Sequence, residues 1–425
     1  MLRRCRPSHE ASIRPDMPPR TRQQASPIDM ERPAILGGTP VRDTFLVFGS
    51  PAIEESDIRE VVACLRSGWL GTGPRVAQFE RDFSRYKGAT HAVAVSSCTA
   101  ALHLSMVAVG LQPGDEVITT ALTFCATCNA IAHAGATPVL VDVDPVTMNI
   151  DPVQIERSIT SRTRAIVPVH FAGRACEMGL ITELSSRHEL RIIEDCAHAI
   201  ETEHHGRKAG TFGDFGCFSF YVTKNVTAGE GGMVLTRSEE DAARLKVLAL
   251  HGMSKDAWTR FGDEGYKHYR VVDGGFKYNM IDLVAAIGCE QLLRVEQNWL
   301  RREQIWQRYL EAFRDLPVVL PAAVEPGTRH AYHLFTILID EARTGVSRDT
   351  FLEALAAENV GAGVHYPSLA EHPYYQDQYG WRPEDYREAT QIGRQTVSLP
   401  LSVKLSDSDV DDVVCAVSRV LHGYE

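Results

Sequence analysis

Short apolar runs alternate with stretches of helical spacing along most of the chain. The runs are rich in β-branched and aromatic residues and are bounded by turn residues, which is typical of buried strands. The predicted strands are His91–Val95, Glu116–Thr120, Pro138–Asp142, Ala165–His170, Arg191–Ile193, Gly216–Val222 and Gly231–Leu235. Helices are predicted over Glu54–Ser67 and Met178–Arg187 and from Thr99 and Thr127 onward. Strands that alternate with helices in this way predict an α/β fold with a large, mostly parallel sheet.

The pattern changes beyond the predicted sheet. Gly275–Leu316 has the spacing of one or two long helices, and Arg329–Glu425 has the order strand, helix, strand, helix, which predicts a smaller α+β lobe. Residues 1–30 are rich in Arg, Pro, Ser and Gln without apolar periodicity, so we expect a disordered tail, and Met30 is an equally good start codon. The expected domains are residues 31–290 and residues 291–425, the second opening on the long helical linker.

Length and charge favour some classes of protein function and argue against others. A chain of 425 residues can bury a large core and favours two or three lobes. Its net charge of −11, from 44 Lys and Arg against 55 Asp and Glu, opposes nucleic-acid binding. No apolar run approaches the roughly 18 residues of a membrane helix and no signal peptide opens the chain, so we expect a cytosolic protein with no membrane partner.

Two spacings invite a cofactor or metal interpretation that the sequence does not support. Cys125 and Cys128 have CxxC spacing, but no second pair completes a structural zinc site, and we expect no bound metal. Gly71 and Gly73 resemble the start of a dinucleotide-binding loop. The third glycine position holds Val76 and no strand precedes the loop, which argues against a nicotinamide-dependent oxidoreductase.

Lys224 lies between two predicted buried strands, in a stretch with small residues behind it. A lysine held on rigid backbone beside a dry pocket has a depressed pKa, and its free amine can form an imine with a carbonyl. Most lysines are solvated surface charges, so the local pattern alone leaves a structural role as the commoner interpretation.

Two further positions lie where predicted strands end. Ser96–Ala100 follows a strand and opens a helix, which makes an anion site from free backbone amides and hydroxyls, although a plain helix cap explains the same residues. Asp195 ends another apolar strand and needs a partner to stay ionised, either a protonated ring nitrogen or a structural ion pair. His198 and Phe124 follow strand ends too, and each is either a ligand contact or a packed core residue.

The order of these parts is that of fold-type I pyridoxal phosphate (PLP) enzymes: a phosphate-binding helix start, a strand-end Asp, then a Lys. From about Ile35 to Leu421 the sequence resembles the DegT/DnrJ/EryC1/StrS family of PLP-dependent sugar aminotransferases. The motifs that carry the resemblance are SGWLGTGP (67–74), SSCTAALHL (96–104), ALTFCATCNAI (121–131), EDCAHAI (194–200), FSFYVTKNVTAGEGG (218–232), GFKYNMIDLVAAIG (275–288), HYP (365–367) and SLPL (398–401).

The resemblance implies a role for each motif residue. Lys224 would form the imine that holds PLP and Asp195 would pair with its ring nitrogen. The other implied PLP contacts are Cys98, Thr99 and Ser219 at the phosphate, Phe124 at the ring face, His198 at the phenolate oxygen, and Asn279 supplied by a second subunit. Asn279 therefore implies a homodimer with shared active sites. The implied substrate contacts are Trp69, Leu70, His333, His365 and Tyr366.

Two residues depart from the family pattern. Many relatives have Gly where this chain has Cys98, and we expect the amide contact to the phosphate to survive. Many also have Gly where Glu201 stands, which puts the local loop structure in question. A branch that removes hydroxyl groups has His in place of the lysine, and Lys224 argues against that branch.

These features predict transamination from an amino acid, expected to be glutamate, to a keto sugar. The commonest acceptor in the family is a nucleotide-linked 3- or 4-keto sugar, which is therefore the expected acceptor. The opening AILGGTPVR (34–42) also resembles members that act on cyclitols of the scyllo-inosose type or form aminohydroxybenzoate. A non-catalytic regulatory protein with the same fold is the remote alternative, because the lysine, aspartate and phosphate loop are all present.

Overall fold

The computed structural model of the protein describes residues 32–254 and 269–424. Its main sheet has seven strands in the order β1-β9-β8-β5-β4-β2-β3, and only β9 runs antiparallel to its neighbours. The strands of this sheet are β1 (His91–Val95), β2 (Glu116–Thr120), β3 (Thr137–Val141), β4 (Thr163–Val167), β5 (Arg191–Asp195), β8 (Phe215–Ser219) and β9 (Gly232–Thr236). The prediction of an α/β fold with a mostly parallel sheet is confirmed.

Helices connect the strands and cover the sheet. They are α1 (Glu55–Ser67), α2 (Pro74–Lys87), α3 (Cys98–Val109), α4 (Ala126–His133), α5 (Pro152–Ser158), α6 (Met178–His188), α7 (Glu239–Ala249), α8 (Asp282–Leu293) and α9 (Val295–Phe313). The first helix ends at Gly68, whose φ of 76° lies in the left-handed region that favours glycine. The long helical stretch predicted before Leu316 corresponds to α8 and α9.

Two predicted strands end earlier than expected. The chain leaves β4 at Val167 because Pro168 has no N–H for the ladder, and the His170 N–H donates instead to the Asp195 carbonyl. It leaves β8 at Ser219, because it then turns back through a hydrogen bond from the Lys224 N–H to the Tyr221 carbonyl (2.9 Å). Apolar residues continue past both ends, so the pattern alone overestimates strand length.

The C-terminal part has its own core and a two-stranded sheet. Its elements are α10 (Glu341–Thr344), α11 (Arg348–Ala357), α12 (Pro373–Tyr379), α13 (Arg387–Gln395), α14 (Asp407–His422) and the antiparallel strands β11 (Phe335–Leu338) and β12 (Thr396–Leu399). Short strands β6 (Glu203–His204), β7 (Arg207–Lys208) and β10 (Thr328–Arg329) form a third sheet. The lobe thus contains more helices than the predicted order had.

Chain segments distant in sequence share the core of this lobe. Trp306 of α9, Phe351 of α11 and Val413 of α14 are buried together, and Val41 and Leu46 from near the start of the described chain pack against them. The domain division at residue 290 stays a prediction, and that position lies inside α8. The predicted disordered tail lies outside the described residues.

Parallel strands bring several chain segments to one edge of the sheet. β1, β5 and β8 run in the same direction, so their carboxyl ends at Val95, Asp195 and Ser219 meet there. Ligands of open α/β sheets bind at this edge. Among the described residues, no helix combines the length and the hydropathy that crossing a lipid bilayer requires.

Candidate active site

A cavity of about 510 Å³ opens at the carboxyl edge of β1, β5 and β8. Its walls come from the start of α3, the loop before α4, the segment after β5, the β8–β9 loop and two residues of the smaller lobe. Of the predicted site residues it collects Cys98, Thr99, Phe124, Asp195, His198, Ser219, Lys224, His365 and Tyr366. Segments separated by more than a hundred positions therefore meet in one concave site.

Lys224 reaches this cavity from the turn after β8 rather than from the strand end itself. Burial lowers the pKa of its amine to about 8, and the nearby Cys98 and Asp195 only partly oppose that effect. About a tenth of the amine is therefore uncharged at pH 7, far more than at the ordinary pKa of a lysine, and this form can act as a nucleophile or a proton acceptor.

Asp195 is buried at the end of β5, with both carboxylate oxygens oriented by hydrogen bonds. Oδ2 accepts from the Thr127 hydroxyl at 2.9 Å and Oδ1 accepts from the Ala197 N–H at 3.1 Å. Burial raises the pKa of this carboxyl, whereas the two donors and the Lys224 charge lower it. A protonated nitrogen in the cavity would complete the stabilisation of the charged form.

The neighbouring Glu194 points to the opposite side of β5, as strand alternation requires. Its carboxylate accepts from the N–H groups of Gly210 and Gly213 (2.7 Å each) and lies 3.1 Å from Nε2 of His170. The other ring nitrogen of His170 accepts from the Cys176 N–H at 3.1 Å. This saturated set fixes the strand that carries Asp195.

The start of α3 forms the floor of the cavity beside β9. Ser97 caps the helix by accepting from the Ala100 N–H at 3.1 Å, and the Cys98 thiol turns towards the Cys217 carbonyl at 3.7 Å. A Cβ at Gly232 would lie 2.4 Å from the Ser97 carbonyl, so only glycine lets β9 come this close. The helix N-terminus and the Thr99 and Ser219 hydroxyls are suited to a phosphate group.

Comparison with known proteins agrees with this arrangement. Residues 51–418 match the model of the DegT/DnrJ/EryC1/StrS aminotransferase family. The chain belongs to this family. The chain is 48% identical over 385 residues to the spore coat polysaccharide biosynthesis protein SpsC of Bacillus subtilis, an alignment that covers 90% of this chain and 99% of SpsC.

Solved structures of sugar aminotransferases share the fold of this family member. The PLP form of the putative sugar aminotransferase Spr1654 from Streptococcus pneumoniae is 31% identical with a TM-score of 0.83, covering 90% of this chain and 100% of that one. Helicobacter pylori PseC, an aminotransferase involved in the biosynthesis of pseudoaminic acid, is 27% identical with a TM-score of 0.83, covering 89% and 100%.

The aminotransferase is PLP-dependent, as the prediction from the motifs expected. The donor set of the cavity fits this cofactor: a partly buried amine, a buried carboxylate for the ring nitrogen, and a helix N-terminus with hydroxyls for the phosphate. Thr127, which orients Asp195, was not predicted as a site residue from the sequence. A hydroxyl in the first turn of the helix after the ALTF motif was the signal that could have identified it.

Aromatic side chains form one wall of the aminotransferase site. The His198 Nδ1 accepts from the Ala172 N–H at 3.3 Å, so the neutral ring carries its proton on Nε2, 3.1 Å from the Tyr366 hydroxyl. The Phe124 ring lies 5.9 Å from the Tyr366 ring and remains 57% exposed. Phe124 and His198 are thus placed to face a planar cofactor, which keeps their predicted roles open as proposals.

Four predicted residues of the aminotransferase do not line the Lys224 cavity of their own chain. His333 is buried behind His198, with ring centroids 4.4 Å apart. Trp69 and Asn279 line a different cavity of about 530 Å³, and the Asn279 amide donates to the Thr72 hydroxyl at 2.7 Å. Leu70 is 44% exposed beside Trp69. Trp69, Leu70 and His333 therefore lie outside the Lys224 cavity of their own chain, and their substrate contacts stay predictions.

Other cavity residues were not predicted. Thr123, Tyr221, Thr223 and Glu230 contribute hydroxyls and a carboxylate to the lining. Tyr221, Thr223 and Glu230 flank Lys224 in the sequence, so their proximity to the predicted catalytic lysine was the available signal.

Proposed function

We propose that this protein transfers an amino group from glutamate to a nucleotide-linked keto sugar, at the 3- or 4-position. The observation that carries the proposal is the placement of the partly buried Lys224 amine and the buried Asp195 carboxylate in one cavity. The similarity to SpsC and PseC, which are described as acting in polysaccharide and pseudoaminic acid biosynthesis, supports a sugar acceptor.

PLP, when bound, supplies an electron-withdrawing ring that stabilises negative charge on the carbon that loses a proton. Asp195 would keep the ring nitrogen protonated, because the carboxylate faces the cavity and Thr127 and Ala197 hold its orientation. Thr99, Ser219 and the amide of Cys98 would bind the phosphate. His198 would donate its Nε2–H to the ring oxygen, and Phe124 would lie against the ring face.

Lys224 moves the proton in both half-reactions. Its amine would hold PLP covalently and, when free, would be the base of the site. The free amine would take a proton from the α-carbon of glutamate and pass it to the cofactor, and would carry a proton from the cofactor to the sugar carbon that gains nitrogen. A pKa of about 8 allows the same group to accept and release this proton near neutral pH.

A second copy of the chain completes the site in this proposal. Asn279 faces away from the Lys224 cavity of its own chain and lies beside the half-exposed Trp69 and Leu70. Large apolar side chains exposed next to a polar residue are typical of an interface. In a homodimer this face brings Asn279 to the phosphate of the opposite subunit, with Trp69 and Leu70 near its substrate.

The sugar binds above the aromatic wall. His365 and Tyr366 line the cavity on the side of the smaller lobe, and Thr223 and Glu230 line it near Lys224. Burial lowers the pKa of His365 to about 4, so its ring is neutral and can exchange hydrogen bonds with sugar hydroxyls. These groups suit a polyhydroxylated acceptor better than an aromatic one.

The direct test starts from the purified protein in its pyridoxamine form. Keto-sugar nucleotides and keto-inositols are added one at a time, and the return of the visible absorbance of bound PLP is followed. We expect a nucleotide-linked 3- or 4-keto sugar to restore the band fastest. A response to keto-inositols alone would replace the proposed acceptor with a cyclitol, and no response to glutamate in the first half-reaction would refute the donor.

A further inference from the structure

A buried ion pair lies next to the active site and has no role in the chemistry above. Glu201 is fully buried and Arg302 of α9 is 3% exposed, and the Arg302 guanidinium donates to Oε1 of Glu201. Burying two charges is costly unless their remaining hydrogen-bonding capacity is used. The second carboxylate oxygen of Glu201, Oε2, therefore needs a hydrogen-bond donor of its own.

Oε2 of Glu201 fixes the side chain of Asn225, the residue that follows Lys224. The Asn225 Nδ2 group donates to Glu201 Oε2 at 2.8 Å and to the Ala331 carbonyl at 2.9 Å. A carboxylate and a carbonyl only accept, so the amide orientation is unambiguous. Its oxygen Oδ1 must point the other way.

Oδ1 of Asn225 lies 2.9 Å from Nδ1 of His333. Because Oδ1 only accepts, Nδ1 of His333 carries the proton. Burial depresses the pKa of His333 well below its usual value, which keeps the ring neutral. Nε2 of His333 consequently carries no proton and can only accept a hydrogen bond.

His198 has the opposite tautomer. Its Nδ1 accepts from the backbone and its Nε2 carries the proton, and the His198 and His333 rings are in contact with centroids 4.4 Å apart. One ring of the pair offers a donor at Nε2 and the other an acceptor. The tautomer of each ring is determined by a different partner, Ala172 for His198 and Asn225 for His333.

We infer that Glu201 is a positioning residue: held by Arg302, it fixes the Asn225 amide and thereby sets His333 as the Nδ1–H tautomer behind the cofactor-facing His198. This arrangement supports the His198 ring from its inner side. The kinetic part of the inference rests on the proposed function, whereas the tautomer does not.

The closing experiment measures the tautomer in the apoprotein labelled with ¹⁵N-histidine. The His333 resonances are assigned by their loss in His333→Gln. Glu201→Gln keeps an oxygen towards Arg302 but places an NH₂ group against the Asn225 NH₂ group, so we expect the Asn225 amide to turn over. Its NH₂ group then donates to Nδ1 of His333, and the proton of the ring moves to Nε2.

Two more variants separate positioning from general destabilisation. Asn225→Ala leaves the Glu201–Arg302 pair intact and removes the link, so we expect His333 to lose its preference for Nδ1–H. Arg301→Gln is the matched control on the same helix, because Arg301 pairs with Asp407 and the Leu405 carbonyl instead. It should leave the His333 signals unchanged.

Activity gives an independent readout. If the proposed function holds, Glu201→Gln and Asn225→Ala disturb the ring that supports His198 and slow the glutamate and keto-sugar half-reactions about tenfold each, the effect of roughly one hydrogen bond. An unchanged His333 tautomer in both variants would overturn the inference. A changed tautomer with no keto-sugar turnover in the unmodified protein would instead refute the proposed acceptor.

Discussion

The Thr127 hydroxyl donates a 2.9 Å hydrogen bond to Oδ2 of Asp195, so the first turn of α4 orients a carboxylate that belongs to β5. The same hydroxyl lies 3.0 Å from the Thr123 hydroxyl, which extends the network to the loop before α4. Two chain segments are thus needed to hold the buried Asp195 carboxylate.

Thr127→Val tests this dependence. The substitution preserves shape but removes the donor, so the charged carboxylate loses stabilisation and the pKa of Asp195 rises further. We expect the rate of the glutamate half-reaction to fall about tenfold, measured by stopped-flow loss of the PLP absorbance. Thr119→Val is the control, because the buried Thr119 hydroxyl donates to the Val167 carbonyl away from the cavity. An equal effect of both variants would contradict the prediction.

The Lys224 amine should titrate near pH 8 in the apoprotein, because burial lowers its pKa. The rate of its reaction with an amine-specific reagent should therefore increase with pH and level off above that value. Lys224→Ala should lose this reactive amine and all transamination. A midpoint near the ordinary value of 10.5 would show that the amine is solvated.

The lowered pKa of Lys224 also predicts a change in the stability of the protein. Folding disfavours the charged amine, so the penalty is fully present below pH 8 and disappears as the pH rises from about 8 to 10.5. At pH 7, Lys224→Met should raise the free energy of unfolding of the apoprotein by about 1–3 kcal/mol. Urea denaturation at pH 7 and pH 10 measures this, and the gain should be smaller at pH 10.

Gly232→Ala should weaken PLP binding. The added Cβ would lie 2.4 Å from Ser97 backbone atoms and 2.8 Å from the Cys98 nitrogen, which displaces the phosphate-binding start of α3. We expect the Kd for PLP to rise at least about tenfold, measured by fluorescence titration of the apoprotein. Gly179→Ala in α6 is the control, since its Cβ meets no atom within 4 Å. Equal affinities of the two variants would argue against this contact.

Mixed dimers test the shared site. In the proposed homodimer each site takes Lys224 from one subunit and Asn279 from the other. A dimer that combines a Lys224→Ala subunit with an Asn279→Ala subunit would therefore have one site with both lesions and one with neither. Mixing the two inactive variants under subunit exchange should restore activity, with at most half of the sites functional. Mass spectrometry monitors the subunit exchange. Mixtures that exchange subunits and still stay inactive would place both residues in the site of one chain.

The sequence predicted the sheet and the catalytic centre better than the outer wall of the site. Lys224, Asp195 and the start of α3 follow from strand ends and from the motifs, because parallel strands with the same direction must deliver them to one edge. Thr127, Tyr221 and Glu230 had only a local signal, their position beside a motif, since their roles depend on how loops fold over that edge.

His333 shows a different limit of prediction. The family resemblance implied a substrate contact, which stays a prediction, and packing places the ring behind His198, where a hydrogen bond to Asn225 holds it. The burial of Glu201 depends in the same way on Arg302, which lies 101 positions along the chain. Such long-range pairing of polar groups has no local sequence signal.

Lys224 lies on a loop whose two ends are paired to each other, because Ser219 of β8 and Gly232 of β9 are register partners. The sheet therefore closes below the loop whatever the loop contains. Inserting a single residue after Val222 would leave every strand pair in register yet shift the amine relative to Asp195. New reactions can arise in such a scaffold through changes of loop length, without any cost to the architecture that carries them.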